Sequence, residues 1–138
     1  MIVGICGLIG SGKGTVADIL VEQGFTKVSF ADKLKDGVAT IFGWDRALLE
    51  GDTDESRSWR EQTDNFWTQE TGRTITPRVV LQEFGTECMR EGFDNGVWVS
   101  LLKKYLLDNP GYYVVPDVRF RNEQNMIRDL GGEIWQVK

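Results

Sequence analysis

Histidine is absent from the 138 residues of this chain, and its absence excludes several kinds of chemistry at once. Histidine general bases, Ser–His nucleophile pairs and histidine-ligated metal sites all need an imidazole ring. Cysteine occurs only twice, as Cys6 and Cys88, and the two form no CxxC pair. Both lie in apolar surroundings in the sequence, so we expect two buried free thiols in a reducing cytoplasm.

Long apolar runs, proline and surplus positive charge are also scarce. No stretch approaches the ~20 apolar residues that cross a bilayer, and no charged segment precedes the apolar N-terminal run, which argues against a signal peptide. Three prolines and the lack of low-complexity runs argue against disorder. Sixteen Lys+Arg against 21 Asp+Glu give a net charge of −5, whereas nucleic-acid binders normally carry a basic surplus. We therefore expect a single globular domain over 1–138 that binds neither nucleic acid nor membranes.

The apolar pattern predicts an α/β fold with a mostly parallel sheet flanked by helices, because short apolar strands alternate with amphipathic helices. The predicted strands are 2–6, 27–30, 112–115 and 133–137. The predicted helices are 15–22, 32–44, 77–91, 94–107 and 123–130. The helix over 77–91 follows an N-cap, Thr76, with Pro77 in its first position, and the next helix follows its own cap, Asp94.

Residues 45–76 interrupt this alternation. Seven acidic and three basic residues fall between positions 45 and 64, so most of the net negative charge of the chain lies there. The segment is polar and aromatic and sustains neither a helical nor a strand period. We expect an excursion from the core, and two interpretations stay open: a solvated surface segment, or a mobile flap that covers a substrate.

Residues 7–15 read Gly-Leu-Ile-Gly-Ser-Gly-Lys-Gly-Thr, lie between a predicted strand and a predicted helix, and match the pattern G-x-x-x-x-G-K. Glycines let backbone N–H groups turn inward as a concave anion site, and the positive end of the following helix points to the same place. Lys13 adds a mobile positive charge for the β- and γ-phosphates. The motif predicts a nucleoside triphosphate site made by Gly10, Ser11, Gly12, Lys13, Gly14 and Thr15.

The end of this motif and the rest of the chain narrow the class of protein. The sequence Gly-Lys-Gly-Thr resembles the motif of adenylate-kinase-type enzymes, and by that resemblance Thr15 is expected to hold Mg²⁺, directly or through water. The guanine-reading pattern N-K-x-D is missing, which argues against a GTPase switch. A small protein with this motif is most often a kinase of a small metabolite.

Arginines and one aspartate are the other candidate site residues. A kinase acting on a phosphorylated acceptor must neutralise two phosphate groups, and guanidinium groups bind phosphate in two-pronged fashion. Asp117 follows the predicted strand 112–115, at the sheet edge where open α/β folds bind ligands, and an unpaired carboxylate there is costly unless it meets Mg²⁺, an arginine or a sugar hydroxyl. The candidate arginines are Arg57, Arg60, Arg78, Arg119 and Arg121.

Four stretches spread over nearly the whole chain carry a more specific signal. They are GLIGSGKGT at 7–15, FADKLKDGVATIFGW at 30–44, LQEFGTE at 81–87 with Trp98 eleven residues on, and VVPDVRFRNE at 114–123. In these stretches the chain resembles the bacteriophage-type deoxynucleoside monophosphate kinases, relatives of the nucleotide and dephospho-coenzyme A kinase group. The resemblance implies a three-layer P-loop NTPase fold and a kinase of deoxynucleotide metabolism, located in the cytoplasm, which is the host cytoplasm if a phage encodes it.

The resemblance also implies roles for individual residues. The predicted catalytic residues are Lys13, Asp117 and Arg119, with ATP as the donor and Mg²⁺ as the metal. An arginine of the 45–76 segment, Arg57 ahead of Arg60, is expected to reach the phosphates. The acceptor nucleotide is expected to contact Arg78, Gln82, Gly85, Thr86 and Trp98, and also Asp117, Arg119, Asn122 and Glu123. The predicted reaction is ATP- and Mg²⁺-dependent phosphoryl transfer to a deoxynucleoside monophosphate, giving the diphosphate.

One departure from the family keeps alternatives open. Kinases of this group usually have a five-stranded parallel core, whereas only four strands are predicted here and the fourth ends at the C-terminus, so we expect a chain truncated after Lys138 without its last core strand. The enzymatic alternative is dephospho-coenzyme A kinase or another small-metabolite kinase, in which Asp117 would act as the base for a hydroxyl acceptor. The other alternative is a nucleotide-binding module without turnover. A homodimer also stays open.

Overall fold

A computed structural model of the chain describes residues 1–7 and 12–138. Its sheet has four strands in the order β2–β3–β1–β4, and every neighbouring pair is parallel. The strands are β1 (Ile2–Gly7), β2 (Thr26–Lys27), β3 (Tyr113–Val115) and β4 (Glu133–Val137). The predicted parallel α/β fold is therefore confirmed for the described part of the chain.

The two faces of β1 are buried under different helices. Val3 and Ile5 are fully buried with Val114 against α1 (Lys13–Glu22), through Ala17 and Leu20. The opposite face packs against α7 (Val97–Asp108) and α8 (Arg121–Asp129), in a cluster that contains Leu102, Leu106, Val115, Val118, Met126 and Ile127. Helices thus cover both faces of the central strands, which is why β1 and β3 read as continuous apolar runs, whereas β2 and most of β4 are exposed.

Gly4 is a point of close approach between α8 and the sheet. A methyl group at this position would lie 2.7 Å from Ile127 Cδ1 and 2.9 Å from Ile134 Cδ1. Both side chains belong to the apolar layer between β1, β4 and α8. The glycine therefore lets α8 pack directly onto the middle of β1.

The described residues form two compact units. The first consists of Met1–Phe30, apart from the four undescribed residues, together with Trp98–Lys138, and it contains the sheet. The second, Ala31–Val97, is helical. Its elements are α2 (Asp32–Phe42), α3 (Arg46–Glu50), α4 (Asp54–Arg60), α5 (Asn65–Thr71), α6 (Pro77–Glu83) and a π-helix (Phe84–Arg90).

The segment 45–76 is more regular than the sequence analysis expected. It contains three short helices, α3, α4 and α5, each capped by a side chain: Asp45 accepts from Ala47 N, Thr53 from Ser56 N, and Asp64 from Trp67 N. These helices are five to seven residues long, too short for a helical period to show. The sequence analysis predicted no helix in this segment and missed these three, which depend on local caps rather than on an apolar period.

Aromatic residues of the same segment form part of the core of the second unit. Leu49 is fully buried with Val38 and Ile75, and Trp59 and Trp67 pack against this cluster together with Trp44, which directly precedes the segment. The rings of Trp44 and Trp59 meet edge to face, with their centroids 5.8 Å apart. The acidic surface of the segment therefore covers an apolar layer.

Other features also differ from the predictions; strand β2, for example, spans Thr26–Lys27 rather than 27–30. The predicted helix 77–91 is α-helical only to Glu83 and continues as the π-helix, a distinction that the apolar pattern does not reveal. Helix α7 begins at Val97 rather than Asp94, whose carboxylate accepts from Gly96 N in the preceding turn.

Cys88 is exposed on the π-helix, so the expectation of two buried thiols was wrong for this residue. Cys6 is half-buried, and both thiols are free.

Candidate functional site

The carboxyl ends of β1, β2 and β3 define one edge of the first unit. Because the three strands are parallel and adjacent, the residues that follow them lie at the same edge of the sheet. The connection from β1 to α1 starts at this edge. Two predicted phosphate-binding residues, Gly10 and Ser11, lie outside the described residues.

Helix α1 begins at this edge with the geometry expected of an anion site. Gly12 precedes the helix with φ of +95°, a left-handed value that favours glycine, and its carbonyl accepts the hydrogen bond from Val16 N at 3.1 Å. Lys13 is half-buried, whereas Gly14 and Thr15 are exposed. No acidic side chain occupies the first turn of α1, so the positive end of the helix is not neutralised by its own residues.

Asp117 is placed at the same edge by the turn after β3. Val118 N donates to Ile5 O at 3.3 Å, which anchors the turn beside β1. Ser29 follows β2, and its Oγ donates to Asp117 Oδ2 at 2.6 Å. The other carboxylate oxygen, Oδ1, is buried and has no hydrogen-bond partner among the described residues. A buried carboxylate oxygen without a donor is costly in a folded protein, so this atom marks a candidate ligand contact.

The remaining residues predicted at this edge lie at the start of α8. Glu123 is buried, and its Oε1 accepts from Arg119 N at 2.8 Å and from Phe120 N at 2.9 Å, so its carboxylate holds the turn that leads into the helix. Asn122 Oδ1 accepts from Glu123 N at 3.0 Å. The Arg119 side chain is exposed, and no carboxylate of the described residues forms an ion pair with it. The same holds for Arg121.

A second group of predicted residues lies in the helical unit. Arg78 and Gln82 are one helical turn apart on α6, and both are exposed. Gly85 is buried and Thr86 half-buried in the π-helix that follows. π-Helical turns are rare and often occur at functional sites, which agrees with the roles expected of these two residues. Trp98, half-buried in the first turn of α7, belongs to the sheet-containing unit.

The two arginines of α4 differ in their partners. Arg57 is exposed and donates to Asp54 Oδ1 at 2.5 Å and to Gly51 O at 3.4 Å. Arg60 is half-buried, and its Nε is buried without an acceptor among the described residues. Its guanidinium lies against Gly51, where any side chain would overlap it. Arg60 therefore leaves a buried donor unused among the described residues, whereas Arg57 already uses two of its five donors.

The donors present suit a magnesium ion that arrives with a nucleotide. Among residues 1–7 and 12–138 no group of three or more histidine, cysteine or acidic side chains could enclose a metal. Magnesium in phosphate-transferring sites is commonly held by one or two carboxylates together with substrate phosphates and water. The unpartnered Asp117 Oδ1 and the exposed Thr15 hydroxyl are oxygen donors of this kind.

Ser29 is the site residue that the sequence analysis missed. Its partner Asp117 is 88 positions away in the sequence, so no local pattern links the two. Ser29 follows β2 at the carboxyl edge of the sheet just as Asp117 follows β3. The strand-end argument does not find it from the sequence, because the predicted strand 27–30 contains Ser29, whereas β2 ends at Lys27.

The protein is thus a parallel α/β protein in which Gly12 precedes the N-terminus of helix α1. At the same sheet edge, one oxygen of the Asp117 carboxylate has no donor among the described residues. Comparison with known sequences identifies the family. Residues 46–138 match the family model of the deoxynucleotide monophosphate kinases. The chain belongs to this family, which makes it an enzyme of the kinase class.

Two viral relatives agree with this assignment. A protein of Acanthamoeba polyphaga mimivirus, provisionally named a deoxynucleotide monophosphate kinase, is 31% identical over 150 residues, covering 99% of this chain and 73% of the mimivirus protein. The deoxynucleoside-5′-monophosphate kinase of Escherichia phage T5 is 38% identical over 56 residues, which are 40% of this chain and 22% of the phage protein. The resemblance inferred from the four sequence stretches is thus confirmed. In the described part of the chain, no helix is both long and apolar enough to cross a membrane.

Proposed function

We propose that this chain transfers a phosphoryl group from ATP to a deoxynucleoside monophosphate, giving the diphosphate, with Mg²⁺ as the required metal. The observation that carries the proposal is the buried Asp117 Oδ1, which has no partner among the described residues and lies at the edge of the sheet where α1 begins. Membership of the deoxynucleotide monophosphate kinase family supports the acceptor class. The location that follows is the cytoplasm, or the host cytoplasm for a viral chain.

The donor side of the proposal uses the turn before α1 as a P-loop. Backbone N–H groups at the start of α1 and the positive end of the helix favour phosphate oxygens. The Lys13 ammonium adds a point charge near the β- and γ-phosphates. When bound, Mg²⁺ neutralises part of the negative charge on the donor phosphates. Thr15 and Asp117 are the residues that would hold it.

The acceptor side of the proposal uses arginines and the π-helix. Arg78 and either Arg57 or Arg60 would bind the acceptor phosphate, because a planar guanidinium donates two parallel hydrogen bonds to phosphate. Gln82, Gly85, Thr86 and Trp98 would contact the nucleoside. Asn122, Glu123 and the Arg119 side chain complete the proposed set. The carboxylate of Glu123 also holds the turn before α8, so part of its hydrogen-bonding capacity is already used.

The transfer step needs positioning and charge neutralisation rather than a general base. An acceptor phosphate is already ionised at neutral pH, so no proton has to be removed before it attacks. Lys13 and Arg119 would stabilise the charge that develops on the transferring group. Exclusion of water by the segment 45–76 is part of the proposal, because water at the site would hydrolyse ATP instead.

A coupled assay for ADP formation tests the proposal directly. The assay uses ATP, Mg²⁺ and each of the four deoxynucleoside monophosphates, with product diphosphates identified by chromatography. Lys13→Ala is expected to lower kcat by about 100-fold or more with little change in Tm, because Lys13 is a half-buried side chain in the first turn of α1. Lys103→Ala, on the exposed side of α7, is the matched control and should leave kcat unchanged. Wild-type turnover in Lys13→Ala, or no diphosphate from any acceptor, contradicts the proposal.

A further inference from the structure

Ser29 and Asp117 are held together by backbone hydrogen bonds on both sides. Val28 N donates to Val114 O at 3.0 Å, which fixes the chain directly before Ser29 to β3. Val118 N donates to Ile5 O, which fixes the chain directly after Asp117 to β1. Between these anchors the Ser29 hydroxyl reaches Asp117 Oδ2 at 2.6 Å. The contact is therefore set by the pairing of three strands.

The hydrogen bond from Ser29 makes the two oxygens of the Asp117 carboxylate differ. A hydroxyl–carboxylate bond of this length is a strong, charge-assisted one. It occupies Oδ2 and opposes rotation of the carboxylate about its last torsion, since rotation would break it. Oδ1 is left buried with its lone pairs unused among the described residues. The geometry therefore leaves one defined oxygen without a donor among the described residues.

We propose that Ser29 is a positioning residue, which holds the Asp117 carboxylate so that Oδ1 is presented to the magnesium-bound nucleotide. This inference rests on the proposed function, because it takes the ligand of Oδ1 to be the metal of the donor. Ser29 itself touches neither nucleotide nor metal in this role. It acts by fixing the direction of the carboxylate and by sharing its charge, which lowers the free-energy cost of keeping an ionised group partly buried.

The alternative role for Ser29 is a purely structural tie between the ends of β2 and β3. The two roles predict different consequences of removing the hydroxyl. A tie contributes to stability, and its loss would affect nucleotide binding to the same extent with and without magnesium. A positioning residue contributes to the magnesium-dependent part of binding, because that part is what Asp117 Oδ1 provides.

The test compares Ser29→Ala, Ser29→Thr and Ser100→Ala, an exposed serine on α7 that serves as the control. Titration calorimetry measures the affinity for ATP with Mg²⁺ and with EDTA, and the assay measures kcat as a function of magnesium concentration. Magnesium raises the affinity for ATP, and we expect this increase to be about tenfold smaller in Ser29→Ala than in the wild type. The variant should also need a higher magnesium concentration for half-maximal rate. Ser29→Thr should restore both, and Ser100→Ala should match the wild type.

The double variant Ser29→Ala/Asp117→Asn separates the two roles further. If Ser29 acts through Asp117, removing its hydroxyl should have no additional effect on magnesium-dependent binding once the carboxylate is gone. An equal effect in both backgrounds overturns the proposal, as does a Ser29→Ala protein with wild-type magnesium dependence. An equal loss of ATP affinity with and without magnesium also overturns it. If the wild type forms no diphosphate with any acceptor, the proposed function fails, while the calorimetric comparison still decides whether Ser29 positions Asp117.

Discussion

Arg78 and Glu61 form an ion pair in the helical unit, with Nη1 and Oε1 2.6 Å apart and both side chains more than half exposed. Exposed pairs of this kind stabilise proteins by only about 0–1 kcal/mol. A phosphate group carries more charge than a carboxylate and can accept two hydrogen bonds from one guanidinium. Glu61 therefore holds Arg78 in place without competing strongly with a bound phosphate.

Arg78→Ala is predicted to raise the KM for the acceptor nucleotide by about 10- to 100-fold, because it removes charge-assisted hydrogen bonds to the phosphate. Glu61→Gln is the matched control: it removes the ion pair but keeps Arg78, so the acceptor KM should stay the same or fall, and Tm should hardly change. Steady-state kinetics with varied acceptor and thermal unfolding measure these effects. An Arg78→Ala enzyme with wild-type acceptor KM would contradict the assignment of Arg78.

The arginines of α4 give a second prediction. Arg57 already donates to Asp54 and Gly51, whereas the buried Nε of Arg60 has no acceptor among the described residues. An arginine whose donors are unused gains more from a phosphate than one whose donors are occupied. Arg60→Lys keeps the charge but removes the planar fork, and we expect it to raise the acceptor KM more than Arg57→Lys does.

The measurement is the acceptor KM of both variants under the same conditions, together with Tm to exclude unfolding. Arg60 packs against Gly51, so a loss of stability in Arg60→Lys is checked separately from the change in KM. If Arg57→Lys raises the acceptor KM more than Arg60→Lys does, the prediction is wrong, and Arg57 is the arginine that contacts the phosphate, as the sequence analysis expects.

The central strands β1 and β3 could be predicted from the sequence because they are buried on both faces. Val3, Ile5, Val114 and Val115 are fully buried and form short continuous apolar runs, so the presence, order along the chain and parallel arrangement of the strands follow from composition and spacing. The short helices of 45–76 could not be found in this way. Their signals are the caps Asp45, Thr53 and Asp64, which act within three residues.

Some residues of the candidate site could likewise be found from the sequence, and others could not. The end of β3 identified Asp117, and the glycine spacing identified the start of α1, where Gly12 has the positive φ that the motif leads one to expect. The Ser29–Asp117 bond could not be read from the sequence, because it depends on the pairing of β2 with β3. The π-helix at Gly85 and Thr86 was also hidden, since its apolar pattern resembles that of an α-helix.

The pair Arg73–Glu83 gives a prediction about pH. Two hydrogen bonds of 2.6 and 2.8 Å join the guanidinium to the carboxylate. The hydrogen bonds from Arg73 lower the pKa of Glu83 below its ordinary value of 4.5, against the small opposing effect of desolvation. Because the folded state favours the ionised carboxylate, the pair stabilises the protein above pH 4.5, and this contribution is lost as the pH falls through the lowered pKa.

Glu83→Gln should therefore lower Tm slightly at neutral pH, and the difference from the wild type should shrink as the pH falls below the ordinary pKa of glutamate. Thermal unfolding measured between about pH 3 and pH 8 checks this, because that range spans the ordinary pKa of glutamate. Glu70→Gln, an exposed residue of α5, is the control and should give a smaller difference at every pH. A difference that grows on acidification would contradict the direction of the pKa shift.

Gly12 and Gly14 give the last prediction, since they flank Lys13 but differ in backbone conformation. Gly12 has φ of +95°, and an alanine there adopts that left-handed conformation at a cost of about 1–2 kcal/mol. Gly14 lies within α1, where an added methyl group would meet no atom of the described residues within 4 Å, so alanine should stabilise the helix by about 0.5–1 kcal/mol.

Gly12→Ala is therefore expected to lower Tm and to weaken ATP binding by about tenfold or more, because relieving the strain moves the backbone N–H groups at the start of α1. Gly14→Ala, at a position without the left-handed backbone, should raise Tm or leave it unchanged, and it serves as the control for the effect of Gly12→Ala on Tm. Thermal unfolding and titration calorimetry on the two variants check both expectations. Wild-type stability and affinity in Gly12→Ala would show that the left-handed turn is not needed to form the phosphate site, and the P-loop role of this segment would then lose its structural support.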